Sequence, residues 1–321
     1  MFLELKNTWA KSANSMFVIL FSLLLIYLVF FLDVDITRYR SIQQIWNLGH
    51  VFLFFGLSYL VVKAALNHSG YSVYTQFGLI SVGAVLLGIL IEYLQTLTGR
   101  DQSSYDVLLD WLGACIAFVV FSNALLKASR FVRISFRTGV IILMLLSLMP
   151  MLNIIIDDIQ QRNQFPILVA NESVRELSRF HKNNVTLRFV ANVTEKPNKK
   201  VLRMDFIPGL NPTASLGAFN QNWSQYNYLS FDIFSPISVA SLNVRIHDQR
   251  HERNGYRYRD RFNYSIQLSS GWNKIKISLA DVKNAPLKRD MNMQEIQQLM
   301  FFKLNLRQPI YFLLGPVKLE K

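Results

Sequence analysis

Thiol chemistry is almost absent from this chain of 321 residues. Cys115 is its one cysteine, so no intrachain disulfide can staple the fold. Also missing are a Walker-type phosphate loop, a glycine-rich dinucleotide turn and a GxSxG elbow. That removes the sequence grounds for nucleotide hydrolysis, dinucleotide-dependent redox chemistry and serine-hydrolase chemistry. There are five histidines, none with the close ligand support of a zinc site, so the sequence assigns no metal and no cofactor. Charge is scarce in the first half. Residues 1–156 hold 10 Lys+Arg and 7 Asp+Glu, while residues 157–321 hold 24 and 14, so most of the net charge of +13 belongs to the second half.

The first half instead offers long apolar runs. A spanning helix needs about 20 mostly apolar residues, and five stretches approach that length: Met16–Leu32, Leu48–Leu66, Phe77–Leu97, Val107–Leu126 and Gly139–Ile156. The first is followed by FLDVDITRYR rather than a small-x-small cleavage site, which reads as an uncleaved anchor. Lys127, Arg130, Arg133 and Arg137 lie together between the fourth and fifth stretches with no acid among them. By the positive-inside rule that loop is cytoplasmic. The N-terminus is then cytoplasmic too, and everything after Ile156 lies outside, in the periplasm or on the outer surface of a bacterial cell. The expected fold is a multi-pass α-helical membrane bundle of five spans plus a C-terminal extracytoplasmic all-β jelly-roll sandwich. Its expected divisions are a four-helix membrane domain at 1–126, a basic cytoplasmic loop at 127–138, a fifth transmembrane helix at 139–156, a linker at 157–171 and the sandwich at 172–321.

Against this apolar background, residues 86–113 read LLGILIEYLQTLTGRDQSSYDVLLDWLG and carry Glu92, Gln95, Arg100, Asp101, Asp106 and Asp110. Under the expected topology Glu92, Gln95, Arg100, Asp106 and Asp110 gather at the outer end of the bundle with Asp33, Arg38 and His50, while Asp101 reads as a solvated loop residue. Gly88, Glu92, Gln95 and Gly99 share one helix face, and Asp106, Asp110, Gly113 and Ala117 share another. A charge in mid-membrane costs about 2.5–3.5 kcal/mol on insertion scales, which makes it a functional hypothesis by default. The expected object is a polar pocket of His50, Glu92, Gln95, Arg100, Asp106 and Asp110. Its alternative is a set of ion pairs, Arg100 with Asp106 or Glu92, that merely lock the bundle.

The order of His50, Glu92-Tyr93-Leu94-Gln95, Arg100, Ser103, Asp106, Asp110 and Gly113 resembles the VanZ-like membrane protein family over about residues 15–126. Asp110 stands where that family commonly has Asn. The resemblance implies association with the cell envelope and a role in tolerance of teicoplanin-type glycopeptides. It implies no catalytic role for any residue.

The second half alternates polar and apolar residues in short runs: VTLRFV, VLRMDF, YLSFDIF, LNVRIHD, FNYSIQL, NKIKISL, FFKLNL and YFLLGPVKL. Such spacing predicts a β-sandwich. Asn292–Leu299, with its Ile296/Leu299 stripe, reads as a helix. Tyr228–Asp232, Arg245–Asp248, Asp260–Asn263 and Gly271–Asn273 resemble the galactose-binding-like jelly rolls used as carbohydrate-binding modules. Alternation puts Leu242, Val244 and Ile246 inward together with Phe262, Tyr264 and Ile266. If the strands are neighbours, one outer face carries Arg245, His247, Arg261, Asn263, Lys274 and Lys276, with Tyr256, Tyr258 or Trp223 as an aromatic platform for a sugar. A plain solvated face, with Trp223 and Trp272 in the core, is the alternative. The loop QRHERNGYRYRDR is basic and aromatic, but the exterior location argues against nucleic acid and for anionic lipid or envelope polymer.

Three functions follow as expectations: a non-enzymatic envelope protein binding a lipid or lipid-linked glycan, an intramembrane enzyme on such a lipid with His50 or Glu92 as base, and a membrane-anchored carbohydrate-binding scaffold. The partners expected are the bilayer and an envelope lipid or glycan.

Overall fold

A computed structural model describes residues 40–97, 103–191, 200–238 and 240–321. The chain divides into two compact units, Met1–Leu152 and Asn153–Lys321. The first expected span, with Asp33 and Arg38, lies outside the described residues.

In the first unit, α1 runs over Arg40–Ala64, α2 over Val73–Thr96 and α3 over Ser104–Phe121. A short α4, Asn123–Lys127, precedes α5, Arg130–Gln164, whose residues from Asn153 on belong to the second unit. Among the described residues, α1 (continued to His68), α2, α3 and α5 are long and apolar enough to cross a membrane. Caps set the starts: Ser72 accepts from the Thr75 N–H and Ser103 from the Asp106 N–H, relieving amides that have no helical partner. The buried side of α2 is one stripe, Gln76, Ile80, Ala84, Gly88, Ile91, Glu92 and Gln95. Gly113 on α3 lets α1 come close: a Cβ there would sit 2.3 Å from the Val51 carbonyl oxygen.

Helix α5 departs from the expected divisions. The stretch read as a loop at 127–138 is helical from Arg130, and the stretch read as a linker from 157 is helical to Gln164. Its 35 residues make about 52 Å of helix, longer than a hydrocarbon core of about 30 Å. Pro150 lies inside it. The basic residues do not end the helix, because Lys and Arg are good helix formers and a charge run carries no stop signal of its own.

In the second unit two antiparallel sheets face each other. One is ordered β3 (Val185–Val190), β4 (Val201–Phe206), β11 (Ile310–Glu320), β6 (Tyr228–Ser235), β9 (Gly271–Ser278), with β1 (Ile167–Val169) also on β11. The other is ordered β2 (Phe180–Asn183), β5 (Thr213–Leu216), β10 (Ile296–Phe302), β7 (Ala240–Asp248), β8 (Phe262–Leu268). Leu242, Val244 and Ile246 are fully buried, as alternation requires, and face Phe231, Ile233, Phe312 and Leu314 within one core.

Three expectations fail here. The expected helix at 292–299 is strand β10 from Ile296, held on both sides by β5 and β7. Two-sided pairing outweighs the helical spacing of Ile296 and Leu299. Tyr264 keeps its place in the alternation beside Phe262 but is 49% exposed, because β8 is an edge strand. Strand β9 pairs with β6, not with β8, so Lys274 and Lys276 belong to the other sheet.

Candidate functional site

In the helical unit the expected pocket residues that are described lie at one end of the bundle. His50 comes from α1, Glu92 and Gln95 from the last turns of α2, Asp106 and Asp110 from the start of α3. His50, Glu92, Gln95 and Asp110 are buried, and Asp106 is half-buried. His50 Nδ1 lies 2.9 Å from Asp110 Oδ1, so the imidazole is oriented by a fully buried carboxylate. Glu92 Oε2 accepts the Ser103 N–H at 2.7 Å, tying the end of α2 to the cap of α3. Gly88 makes room: a Cβ there would be 2.7 Å from Asp110 Oδ2. Among the described residues that oxygen has no hydrogen-bond partner. Arg100, expected in the same pocket, lies outside the described residues.

The opposite end of the bundle holds a second buried polar knot that sequence reading missed. Gln76 donates to the Leu66 carbonyl at 2.9 Å and accepts from Ser122 Oγ at 3.2 Å, while Asn67 bridges the Phe121 carbonyl and the Asn123 N–H. These bonds saturate helix-end backbone groups, which is a structural task. The burial of Gln76 on the α2 stripe was the available signal.

On the sandwich, Arg245 and Asn263 are register partners across β7 and β8, and the guanidinium donates to Asn263 Oδ1 at 3.2 Å. Arg245 also lies over the Phe302 ring at 4.7 Å, and Arg261 over Tyr258 at 5.1 Å. Burial, then the charge of Arg261, lowers Arg245 to about 10, and burial lowers Arg261 as well. Tyr258 is 69% exposed, and Tyr256, edge-on to the His251 ring, is 61% exposed. His247 is a correction: it is 3% exposed and bonded to Gln298 at 2.9 Å, so the strand's outer face is closed at that point. Trp223 is fully buried and gives no platform.

The basic loop is held by Arg289, unmarked in the sequence reading. Its guanidinium donates to Asp248 Oδ1 at 2.8 Å and to Asp260 Oδ1 at 2.7 Å. Asp248 also caps the short helix α6, Gln249–Arg253, through the His251 N–H. Burial pushes Asp248 up, but Arg289 and the N–H groups of Asn292 and His251 outweigh it and the net shift is downward.

Lys274 and Lys276 line a separate groove of about 880 Å³ on the other sheet, with Asp232, Lys318 and Glu320. There the charges answer one another: Lys318 sits 2.8 Å from Glu320, and Ser230 donates to the same carboxylate at 2.8 Å.

No family model matches the chain, and no curated protein matches it. Solved structures do match in part, over the sandwich. A family 11 carbohydrate-binding module from Clostridium thermocellum, in complex with a beta-1,3-1,4-mixed-linked tetrasaccharide, is 17% identical with a TM-score of 0.37, over 46% of this chain and 91% of that one. A family 30 module of a cellulosomal cellulase from the same organism is 18% identical with a TM-score of 0.34, over 44% and 86%. An exo-beta-agarase is 12% identical with a TM-score of 0.40, over 48% of this chain and 24% of its own.

Proposed function

We propose that this chain is a multi-pass membrane protein of the cell envelope that binds the polar head of an envelope lipid or lipid-linked glycan. Its N-terminus is cytoplasmic and its sandwich lies beyond the outer surface. One observation carries the reading: His50, Glu92, Gln95, Asp106 and Asp110, from three apolar helices, converge at one end of the bundle, with His50 and Asp110 in contact at 2.9 Å. Such groups are costly to bury in a bilayer and are kept where they bind or react. The exposed apolar flank of α5, including Ile141, Leu145, Met149 and Leu152, supports a lipid surround. The spacing that resembles VanZ-like proteins points toward the same envelope role, with an effect on glycopeptide susceptibility.

The sandwich would hold a glycan on the β7–β8 face. Tyr256 and Tyr258 offer ring faces, and Arg245, Arg261 and Asn263 offer hydrogen bonds. This face suits a ligand better than the groove over β6 and β9, where Glu320 is already engaged by Lys318, Lys276 and Ser230.

The test is lipid mass spectrometry on the detergent-purified full chain. Wild-type protein is expected to carry a polar envelope lipid that falls about tenfold in Glu92→Gln, a change of about 1.4 kcal/mol. Equal lipid in both preparations would overturn the reading. The His50–Asp110 pair also favours a second reading, an intramembrane enzyme, because a carboxylate-oriented imidazole is the arrangement of a general base. Turnover of labelled envelope lipid by wild type, abolished in His50→Gln, would select it.

A further inference from the structure

The buried cluster has a geometry that lipid binding alone does not use. One donor atom each from His50, Glu92 and Asp106 all lie within 4.8 Å of one another. Donors around a tetrahedral zinc with bonds of 2.0–2.2 Å sit about 3.4 Å apart, so modest side-chain rotation would close the triangle on one ion. Three helices supply the three residues, which lets the ligand set converge from different directions.

The surrounding bonds are those a metal site needs. With Nδ1 directed at Asp110 Oδ1, the Nε2 lone pair of a neutral His50 is the one left to ligate. A carboxylate behind a histidine fixes the tautomer and raises ligand basicity. Glu92 is steadied by the Ser103 N–H at 2.7 Å, and Ser103 Oγ accepts the Asp106 N–H at 3.2 Å, so one capping residue supports two of the three ligands. The four side chains supply three carboxylates and one imidazole. One imidazole with two carboxylates and no thiolate selects borderline or hard divalent ions over Cu(I).

We propose that His50, Glu92 and Asp106 bind a divalent transition-metal ion of the Zn²⁺ or Mn²⁺ kind, with Asp110 as the positioning partner of His50. Three protein ligands leave a coordination position for a water or for a phosphate oxygen of the head group. The inference concerns the same pocket as the lipid reading and rests on it only for that last position.

The full chain in detergent, stripped with EDTA and reloaded with Zn²⁺ or Mn²⁺ alone, would be assayed for retained metal and for affinity by chelator competition. About one ion per chain is expected for wild type, and under about a tenth of that in His50→Gln and Glu92→Gln. Asp110→Asn keeps all three ligands and should still fill at saturation, with affinity about 10–100-fold weaker. Co²⁺ loading adds a visible absorption band that needs no variant to be folded. Wild-type protein that retains no metal and gives no Co²⁺ band, or unchanged affinity in both Glu92→Gln and Asp110→Asn, overturns the proposal. Lipid analysis of the same samples separates the two ideas: lipid without metal removes the metal site alone, and metal without polar lipid removes the head-group reading alone.

Discussion

Both units bury charged side chains, yet they treat them differently. In the sandwich unit, Arg179 and Asp157 are fully buried and joined at 2.9 and 2.8 Å, and the remaining guanidinium nitrogen donates to the Leu168 carbonyl. Glu176, also buried, accepts four backbone N–H groups, from Ala170, Asn171, Glu172 and Ser173. These carboxylates have spent their hydrogen-bonding capacity on the fold. In the helical unit, Asp110 is equally buried and hydrogen-bonds a histidine, but its Oδ2 has no hydrogen-bond partner among the described residues. On the sandwich, Arg261 Nε on the candidate ligand face likewise has no hydrogen-bond partner among the described residues. A carboxylate saturated in this way is committed to the fold, whereas a polar atom that keeps capacity can take a further bond.

That contrast can be broken experimentally, and the largest effect is expected where saturation is complete. Asp157→Ala leaves Arg179 charged and buried, and should cost the sandwich about 3–5 kcal/mol in denaturant titration of the full chain. A loss under about 1 kcal/mol would show that the pair is not structural. Next comes packing in the helical unit. Gly113→Val drives side-chain atoms into the α1 backbone and should cost about 1–3 kcal/mol, read as a lower midpoint for helix unfolding in detergent. The sandwich midpoint should not move.

Acid sharpens the comparison further. Asp260 is held down to about 2 by its bonds with Arg289, against about 3.9 in an unfolded chain. A carboxylate lowered in the folded state contributes stability that is complete above about pH 4 and lost as pH falls toward 2. His251 is lowered first by burial, then by His247 and Arg261. The unfolded chain therefore takes its proton more readily, and stability begins to fall below about pH 6.5. Denaturant midpoints of the sandwich from about pH 7 to about pH 2 should decline in both windows, and Arg289→Ala should flatten the lower one. The smallest effect belongs to the groove over β6 and β9. Lys318→Ala, at a half-exposed ion pair, should change stability by under about 1 kcal/mol.

Much of this fold is legible in the sequence. VTLRFV, VLRMDF and FNYSIQL are strands residue for residue, because alternation with one buried face leaves a single register. Gly88, Glu92 and Gln95 do share a face, because helical spacing alone decides that. Sequence reading failed where a partner decides. Ile296–Phe302 became a strand through β5 and β7, and Lys274 left the Arg245 face because β9 found β6. His247 looked exposed until Gln298, 51 residues away, closed over it. Asp157 and Arg289 carried no local signal at all, since each acts through a residue distant in the chain.

By itself, then, the order of amino acids determined which segments are apolar enough to leave water and which side chains stand together on one helix face or one strand face. These are consequences of fixed backbone periods, 3.6 residues in a helix and 2 in a strand. Only the tertiary structure decided that His50 meets Asp110 across 60 residues and that Glu92 and Asp106 complete the group. The physical reason is that a pocket is a relation between elements, set by how helices pack on small residues such as Gly88 and Gly113, and no local period encodes that relation.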